Sequence, residues 1–226
     1  MKTNFEKVNL YSCPIYKSRI DPNSYDKEKI INDILYNKSL KNTRNNTFKN
    51  DDTHHSYHDF DNEEFRPINY EKLIVVYKKI FDIFFNEELA TIKQFNFEFE
   101  IVNYSAITEG QYLSSHNHIE SDFAVVHYLN FKDDHDPTMF TNPASFAPFL
   151  KYLRPELFDI LDHRVGENQY MADGISWKME EDDMIIFPSA INHEIMPQKE
   201  TKEPRITIST NIKILPQEGG EPSLSK

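Results

Sequence analysis

The sequence predicts an α+β fold that is mainly β, a sandwich or barrel with helices packed on one outer face. Residues 95–101 and 205–214 alternate apolar and polar side chains, which is the period-two pattern of a strand with one buried face. Residues 70–87 instead repeat apolar side chains at helical spacing. Helical patterns thus precede short strands along the chain, and this order favours one β core supported by helices.

Two predicted helices and a polar segment account for the first third of the chain. Residues 22–36 begin with Pro, Asn and Ser and then carry apolar residues at helical spacing, which predicts a helix. Residues 38–66 are rich in Asn, Asp and His without periodicity, and they predict a long loop. The helix over 70–87 has an apolar face formed by Leu73, Val76, Tyr77, Ile80 and Phe84. We therefore expect residues 1–94 to form a helical N-terminal support.

The β core is expected over residues 95–215, and the whole chain is expected to form one structural domain. Residues 123–131 are a β-branched and aromatic run suited to an inner strand, and residues 184–187 predict a short buried strand that Pro188 ends. Residues 143–182 are mixed in pattern and predict short helices and a turn. Residues 216–226 predict a flexible tail.

The composition argues against several classes of protein. A formal net charge of −12 disfavours binding to a nucleic-acid backbone, which needs clustered Lys and Arg. The single cysteine, Cys13, cannot form an internal disulfide, so a secreted disulfide scaffold is excluded. The N-terminus lacks the continuous apolar stretch of a signal peptide, and no apolar run is long enough to cross a bilayer. We expect a soluble, cytoplasmic protein without a membrane partner.

Two histidine-containing segments are candidates for metal binding. If residues 116–120 are extended, His116, His118 and Glu120 point to the same face, and two imidazoles with a carboxylate suit a divalent transition metal. A solvated polar edge is the alternative interpretation of this segment. His193 follows a buried strand and a turn, where a histidine is usually a structural residue with satisfied hydrogen bonds.

Arg205 begins the predicted strand 205–214, twelve positions after His193. The alternation sends isoleucines to one side and polar residues to the other, namely Arg205, Thr207, Ser209 and Asn211. If helices cover the isoleucine side, Arg205 faces the interior, where an unpaired charge is costly and a bound carboxylate can accept two of its N–H groups. If the strand lies at an edge, the same polar side faces water.

Five motifs stand in a fixed order between residues 95 and 214: His-x-His, Val-Val-His-Tyr-Leu-Asn-Phe, Phe-x-Asn-Pro, Phe-Pro-Ser-x-x-x-His and Arg-Ile-Thr-x-x-x-Asn. They occupy residues 116–118, 125–131, 140–143, 187–193 and 205–211. In this order they resemble the 2-oxoglutarate- and Fe(II)-dependent dioxygenase superfamily, and in particular the 2OG-Fe(II) oxygenases related to prolyl 4-hydroxylases. The resemblance implies a double-stranded β-helix, the jelly-roll fold that is also called cupin-like.

The resemblance also implies an iron site. In the family a His-x-Asp/Glu pair and a distant histidine bind iron, whereas here His118 stands at the position of the carboxylate. Three ligand sets are therefore open, each including His193: His116 with His118, His118 with Glu120, or His116 with Glu120. We favour His116, His118 and His193, because this set keeps the spacing of the family.

Binding of 2-oxoglutarate is assigned by the resemblance to Arg205, which would pair with the far carboxylate of the cosubstrate. Thr207 would assist, at a position where the family often has serine. Tyr104 matches a tyrosine that contacts the cosubstrate in related enzymes, and a core tyrosine is the alternative interpretation. The expected cofactors are Fe(II), 2-oxoglutarate and ascorbate, with O2 as co-reactant.

The function implied by the resemblance is hydroxylation of a peptide or small-molecule substrate, and the likeness to prolyl hydroxylases favours a peptide side chain such as proline. Two other functions remain open. One is a three-histidine, cupin-type dioxygenase that does not use 2-oxoglutarate, for which Arg205 would matter little. The other is a non-catalytic β-sandwich binding module, which would neither bind iron nor form succinate.

Overall fold

The structure is a computed structural model that describes residues 13–40, 54–56, 63–89, 95–142, 152–160 and 174–216. Its helices are α1 (Lys27–Ser39), α2 (Glu71–Ile83) and the short α3 (Pro155–Phe158), and a π-helical turn over Phe84–Glu88 continues α2. Its strands are β1 (Tyr16–Arg19), β2 (His54–His55), β3 (Phe95–Ile107), β4 (Leu113–His116), β5 (Phe123–Asn130), β6 (Thr138–Thr141), β7 (Gly174–Ser176), β8 (Asp183–Pro188), β9 (His193–Ile195) and β10 (Arg205–Pro216).

The strands form two antiparallel sheets with the strand order of a double-stranded β-helix. The larger sheet has the order β1-β8-β5-β10-β3-β2, and the smaller sheet has the order β4-β9-β6-β7. From β3 onwards the chain repeatedly crosses between the sheets, so that β3, β5, β8 and β10 lie in one and β4, β6, β7 and β9 in the other. Eight strands distributed in this way over two packed sheets form a jelly roll. The predicted fold class is therefore confirmed.

An apolar cluster fills the space between the two sheets. Phe140 of the smaller sheet contacts Phe187 of the larger sheet, with their ring centroids 4.9 Å apart. Ala124, Val126 and Tyr128 join this cluster from β5. The alternation of side chains along each strand thus directs one set of residues into the sandwich and the other set outward.

The outer face of the larger sheet is covered by the helices. Ile206, Ile208 and Ile212 of β10 belong to the same buried cluster as Leu73, Tyr77 and Phe81 of α2. The burial of α2 residues at helical spacing agrees with the predicted apolar face. Because the isoleucine side of β10 packs against helices, the side that carries Arg205 faces the interior of the sandwich.

The N-terminal third is more than a helical support. β1 pairs with β8, with Tyr16 opposite Ile186, and β2 pairs with the β3 segment around Ser105. The sequence did not reveal these strands, because β1 has four residues and β2 lies inside the polar segment predicted as a loop. The remaining part of that loop, residues 41–53 and 57–62, and the predicted tail beyond residue 216 lie outside the described residues.

In the segments that the structure describes, no helix has the length and apolar character needed to cross a membrane. The division into a support over 1–94 and a core over 95–215 stays a prediction.

Truncation of Phe81 tests how much the contact between α2 and the larger sheet contributes to stability. Its side chain is fully buried and packs edge-on against Phe99 at 5.1 Å between centroids. We expect Phe81→Ala to lower the free energy of unfolding by about 3–5 kcal/mol, because it removes a buried aromatic ring and leaves a cavity. Urea unfolding followed by circular dichroism measures this change. Ile83→Ala is the control on the same helix, because Ile83 is 55% exposed and its truncation should cost less than about 0.5 kcal/mol. Equal losses in the two variants would contradict the packing.

Candidate metal centre

Three histidines meet at the paired ends of β4 and β9. His116 is the last residue of β4 and lies opposite His193, the first residue of β9. His118 follows two positions after the end of β4. One nitrogen from each of His116, His118 and His193 can be chosen so that all three lie within 4.8 Å of one another. This spacing is suited to one metal ion bound by three imidazoles.

The loop that carries His118 is held by the turn after β8. The backbone N–H of His118 donates to the carbonyl of Ser189 at 2.9 Å, and the backbone N–H of Ser189 donates to the carbonyl of Asp122 at 3.1 Å. The Ser189 hydroxyl also donates to the carbonyl of Ser121. The Phe-Pro-Ser motif thus ends β8 and fixes the segment that presents His118.

Backbone carbonyls orient two of the three imidazoles. Nδ1 of His116 is 2.8 Å from the carbonyl oxygen of Ser114, and Nδ1 of His193 is 3.0 Å from that of Ile191. A carbonyl oxygen only accepts, so each Nδ1 carries the proton and donates it to this bond. Nε2 of each ring then keeps its lone pair for a metal, and the orientation of each ring is fixed.

Burial keeps two of these imidazoles neutral. Desolvation, together with the neighbouring His116, lowers the pKa of His193 to about 3. Desolvation and His116 likewise lower the pKa of His118 to about 4. Both rings are therefore deprotonated at neutral pH, and a metal ligand must be in that state.

Glu120 is not part of the histidine cluster. Its side chain is exposed, and the group of metal-ligating residues found in the described segments contains His116, His118 and His193 without it. Of the three ligand sets that the sequence left open, the structure brings together the all-histidine set.

Arg205 is fully buried between the two sheets. Its Nε donates to the carbonyl of Asp136 at 3.1 Å, and its Nη2 donates to Oγ1 of Thr138 at 3.2 Å. A longer bond of 3.4 Å joins Nη1 to Oγ1 of Thr207. Within the described segments no carboxylate lies within ion-pair distance of this guanidinium. Burial lowers the pKa of Arg205 because it disfavours the charged form.

Hydroxyl groups surround the guanidinium. The Thr207 hydroxyl is 2.8 Å from the hydroxyl of Ser105, and the Tyr128 hydroxyl donates to Oγ1 of Thr138 at 2.8 Å. The Tyr128 ring also lies beneath the guanidinium, with 5.1 Å between its centroid and Cζ of Arg205. A buried cation that is ringed by neutral hydroxyls has the donors that recognise a carboxylate.

Strand β6 connects the two groups. Thr138 touches Arg205, and Phe140, two residues further on, lies opposite His193, with their ring centroids 6.2 Å apart. Because a strand rises about 3.3 Å per residue, these two positions are about 7 Å apart along β6. β6 therefore contacts both the guanidinium and the histidine cluster.

Tyr104 lies on the wrong side of the sheet for contact with this pocket. The inward position on β3 is held by the next residue, Ser105, which touches Thr207. Tyr104 instead packs in the core beneath the helices, where its hydroxyl accepts a bond of 3.4 Å from the Asn37 amide of α1. The interpretation of Tyr104 as a cosubstrate contact is therefore corrected: it is a core tyrosine.

Sequence reasoning missed Ser105, Tyr128 and Thr138, which complete the surroundings of Arg205. Ser105 could have been found from strand alternation, because it pairs with Thr207 on β10. Thr138 lies on a four-residue strand whose existence the sequence did not predict. Asn211 was recognised as a motif residue; it pairs with the inward-facing Ala124, and its buried Oδ1 has no hydrogen-bond partner among the residues that the structure describes.

A comparison with family models matches residues 103–211 to the family described as "Putative 2OG-Fe(II) oxygenase". The resemblance to the 2OG-Fe(II) oxygenases is confirmed. The matched stretch contains the three histidines, Arg205 and Thr207. No match was found among curated proteins.

Several solved structures of oxygenases are similar to the chain. They include a prolyl hydroxylase from Trichoplax adhaerens in complex with a peptide of hypoxia inducible factor, at 12% identity, with 88% of this chain and 83% of that chain covered and a TM-score of 0.47. A viral collagen prolyl hydroxylase from Paramecium Bursaria Chlorella virus-1, in a 2OG complex, is 16% identical over 87% of this chain and 95% of that chain, with a TM-score of 0.43.

An oxidoreductase of the 2OG-Fe(II) oxygenase family from Burkholderia pseudomallei is 12% identical and gives a TM-score of 0.42. The match covers 66% of this chain but only 61% of the length of the Burkholderia protein. TM-scores below 0.5 are too low to define a fold, so the double-stranded β-helix rests on the strand order of the two sheets.

Single substitutions of the four candidate ligands distinguish the ligand sets. We expect His116→Ala, His118→Ala and His193→Ala each to weaken Co(II) binding by more than about 100-fold. Mutation of a residue that only hydrogen-bonds to a metal ligand already lowers metal affinity by about 10–100-fold. Glu120→Gln should leave the affinity unchanged, because Glu120 lies outside the cluster. Titration of the metal-free protein with Co(II), followed by visible absorption, measures each affinity. A large loss in Glu120→Gln, with binding retained in one histidine variant, would support a set that includes the carboxylate instead.

Proposed function

We propose that this protein is a 2-oxoglutarate- and Fe(II)-dependent oxygenase that hydroxylates its substrate. In this proposal His116, His118 and His193 hold the iron, and Arg205 and Thr207 hold 2-oxoglutarate. The observation that carries it is the fully buried Arg205 guanidinium. Among the described residues its hydrogen bonds go only to neutral oxygens, and it lies on the inner side of the same sandwich as the histidine cluster. The family match over residues 103–211 supports the same assignment.

The histidine cluster and the surroundings of Arg205 have the chemistry needed to bind Fe(II) and 2-oxoglutarate. The cluster offers imidazole nitrogens, a donor type that suits Fe(II), and burial keeps His118 and His193 in the deprotonated state that binding requires. The planar fork of Arg205 matches the geometry of a carboxylate, and a hydroxyl such as that of Thr207 can donate to the same oxygen.

When bound, Fe(II) and 2-oxoglutarate supply the oxidising chemistry, in which O2 is consumed and the cosubstrate is converted to succinate and carbon dioxide. The residues of the chain provide orientation and exclusion of water. Backbone carbonyls hold the rings of His116 and His193 with Nε2 free. The Phe187 ring lies 4.8 Å from that of His193 and forms an apolar wall beside the metal site.

The substrate that we propose to test first is a peptide side chain, with proline as the leading candidate. This choice is supported by the motif resemblance alone. Ascorbate as a further cofactor and the cytoplasm as the location rest likewise on the sequence.

Binding of 2-oxoglutarate can be tested without knowledge of the substrate. With Fe(II) in the absence of O2, we expect the wild-type protein to develop the visible charge-transfer absorption of a chelated 2-oxoacid as 2-oxoglutarate is added. Thr207→Val should raise the Kd for 2-oxoglutarate by about 3- to 10-fold, because one hydrogen bond is worth about 0.5–1.5 kcal/mol. Arg205→Met should raise it by more than about 30-fold, since a buried charge pair is worth about 2–5 kcal/mol.

Thr210→Val is the matched control for Thr207→Val. Thr210 lies on the same strand and is equally buried, but it pairs with Val125, whose side chain packs in the cluster beneath the helices. Within the described part of the chain, its hydroxyl has no hydrogen-bond partner. The control should bind 2-oxoglutarate like the wild type. If Arg205→Met also binds like the wild type, the assignment of Arg205 is wrong.

Succinate formation with Fe(II), 2-oxoglutarate and O2 separates the three candidate functions. The proposal expects succinate from the wild type and none from His193→Ala or Arg205→Met. If the protein is instead a three-histidine dioxygenase that does not use 2-oxoglutarate, the Arg205→Met variant should oxidise the substrate like the wild type. A binding module would retain no iron and form no succinate in any of the three proteins.

A further inference from the structure

Two asparagines next to the candidate iron ligands are joined by a side-chain hydrogen bond. Asn117 lies between His116 and His118, and Asn192 immediately precedes His193. Nδ2 of Asn117 donates to Oδ1 of Asn192 at 2.8 Å. The bond therefore connects two segments that are 75 residues apart in the sequence and that together carry all three histidines.

The backbone pairing at this place is sparse. β4 and β9 are four and three residues long, and an irregularity separates their pairs Leu113–Ile195 and His116–His193. Beyond His116 the ladder has ended, and the segment that leads to His118 is attached to the turn after β8 through the bond from its backbone to Ser189. Among the described residues, the Asn117–Asn192 bond joins the two histidine-bearing segments from side chain to side chain, in addition to the bonds that Ser189 makes with the loop around His118.

From this arrangement we infer that Asn117 and Asn192 are positioning residues, which hold His116 and His118 at the correct distance from His193 before a metal binds. The inference rests on the proposed function, because it takes the three histidines as the ligands of one metal. The two asparagines act through the backbone, since Nδ1 of His116 and of His193 already donates to a carbonyl oxygen. A site that is assembled in advance binds its metal more tightly, because less ordering remains to be done on binding.

The Asn117–Asn192 bond should contribute to metal affinity and not to the stability of the metal-free protein. Both asparagines are exposed, and substitutions at exposed positions usually change the free energy of unfolding little. Each alanine variant is therefore expected to fold, and the thermal unfolding of the metal-free protein should be the same in variant and wild type.

A double-mutant cycle on Co(II) affinity tests the inference. We expect Asn117→Ala and Asn192→Ala each to raise the Kd for Co(II) by about 3- to 10-fold and to alter the shape of the visible Co(II) absorption. The double variant should be no weaker than either single variant, because both substitutions remove the same bond. Ser115→Ala is the matched control, since Ser115 is exposed on β4 next to His116 and makes no side-chain hydrogen bond with the described residues.

A conservative variant separates the hydrogen bond from other effects of truncation. Asn192→Asp keeps an oxygen that can accept from Asn117, so Asn117→Ala should still weaken Co(II) binding in that background. In the Asn192→Ala background the same substitution should have no further effect. Comparison within each background removes the direct influence of the added carboxylate on the metal.

The possible results are distinct. Single variants that bind Co(II) like the wild type, or losses that multiply in the double variant, would overturn the positioning role and leave the metal centre intact. A wild-type protein that binds no Co(II) would overturn the proposed function and this inference together.

Discussion

The packing of the isoleucine side of β10 against the helices is the constraint on which the site depends. Ile206, Ile208 and Ile212 are buried in the cluster formed with α1 and α2. Since side chains alternate along a strand, this packing obliges Arg205 and Thr207 to point between the two sheets. Burial of a guanidinium in this position has a desolvation cost. An anionic ligand or hydrogen-bond acceptors held in place by the protein must offset this cost. The helices outside the sheet thus determine the chemistry available inside it.

The histidine cluster depends on a different feature, the pairing of two very short strands. β4 and β9 bring His116 opposite His193 although the two residues are far apart in sequence. The turn at Ser189 then places His118 beside them. Under the proposed function, the larger sheet would provide the anchor for the cosubstrate, and β4, β9 and the loop after β4 would provide the metal ligands. β6 lies between the two groups and touches both Arg205 and His193.

The sequence predicted those parts of the fold in which one strand or helix carries a complete pattern. The alternation in β3 and β10 and the helical spacing in α2 are long enough to identify the element and its buried side. The strands β1 and β6 escaped prediction because four residues do not define a period. The same limit explains the site. Alternation predicted that Arg205 and Thr207 lie on one side of β10, but whether that side faces the interior depended on the helices, and Thr138 depends on a contact between sheets. For Tyr104 the sequence left a cosubstrate contact and a core tyrosine open, because a motif match does not fix which side of a strand faces inward.

The make-up of the histidine cluster has an electrostatic consequence under the proposed function. Three neutral imidazoles do not offset the charge of Fe(II), and Arg205 adds a second cationic group to the same interior. A carboxylate at the position of His118 would have neutralised part of this charge. If 2-oxoglutarate binds as proposed, its two carboxylates would offset the charge of Arg205 and half of the charge of Fe(II), because attraction between opposite charges is strong where water is excluded. Under this proposal, binding of the metal and binding of the diacid would strengthen each other, and by linkage they would do so by the same factor.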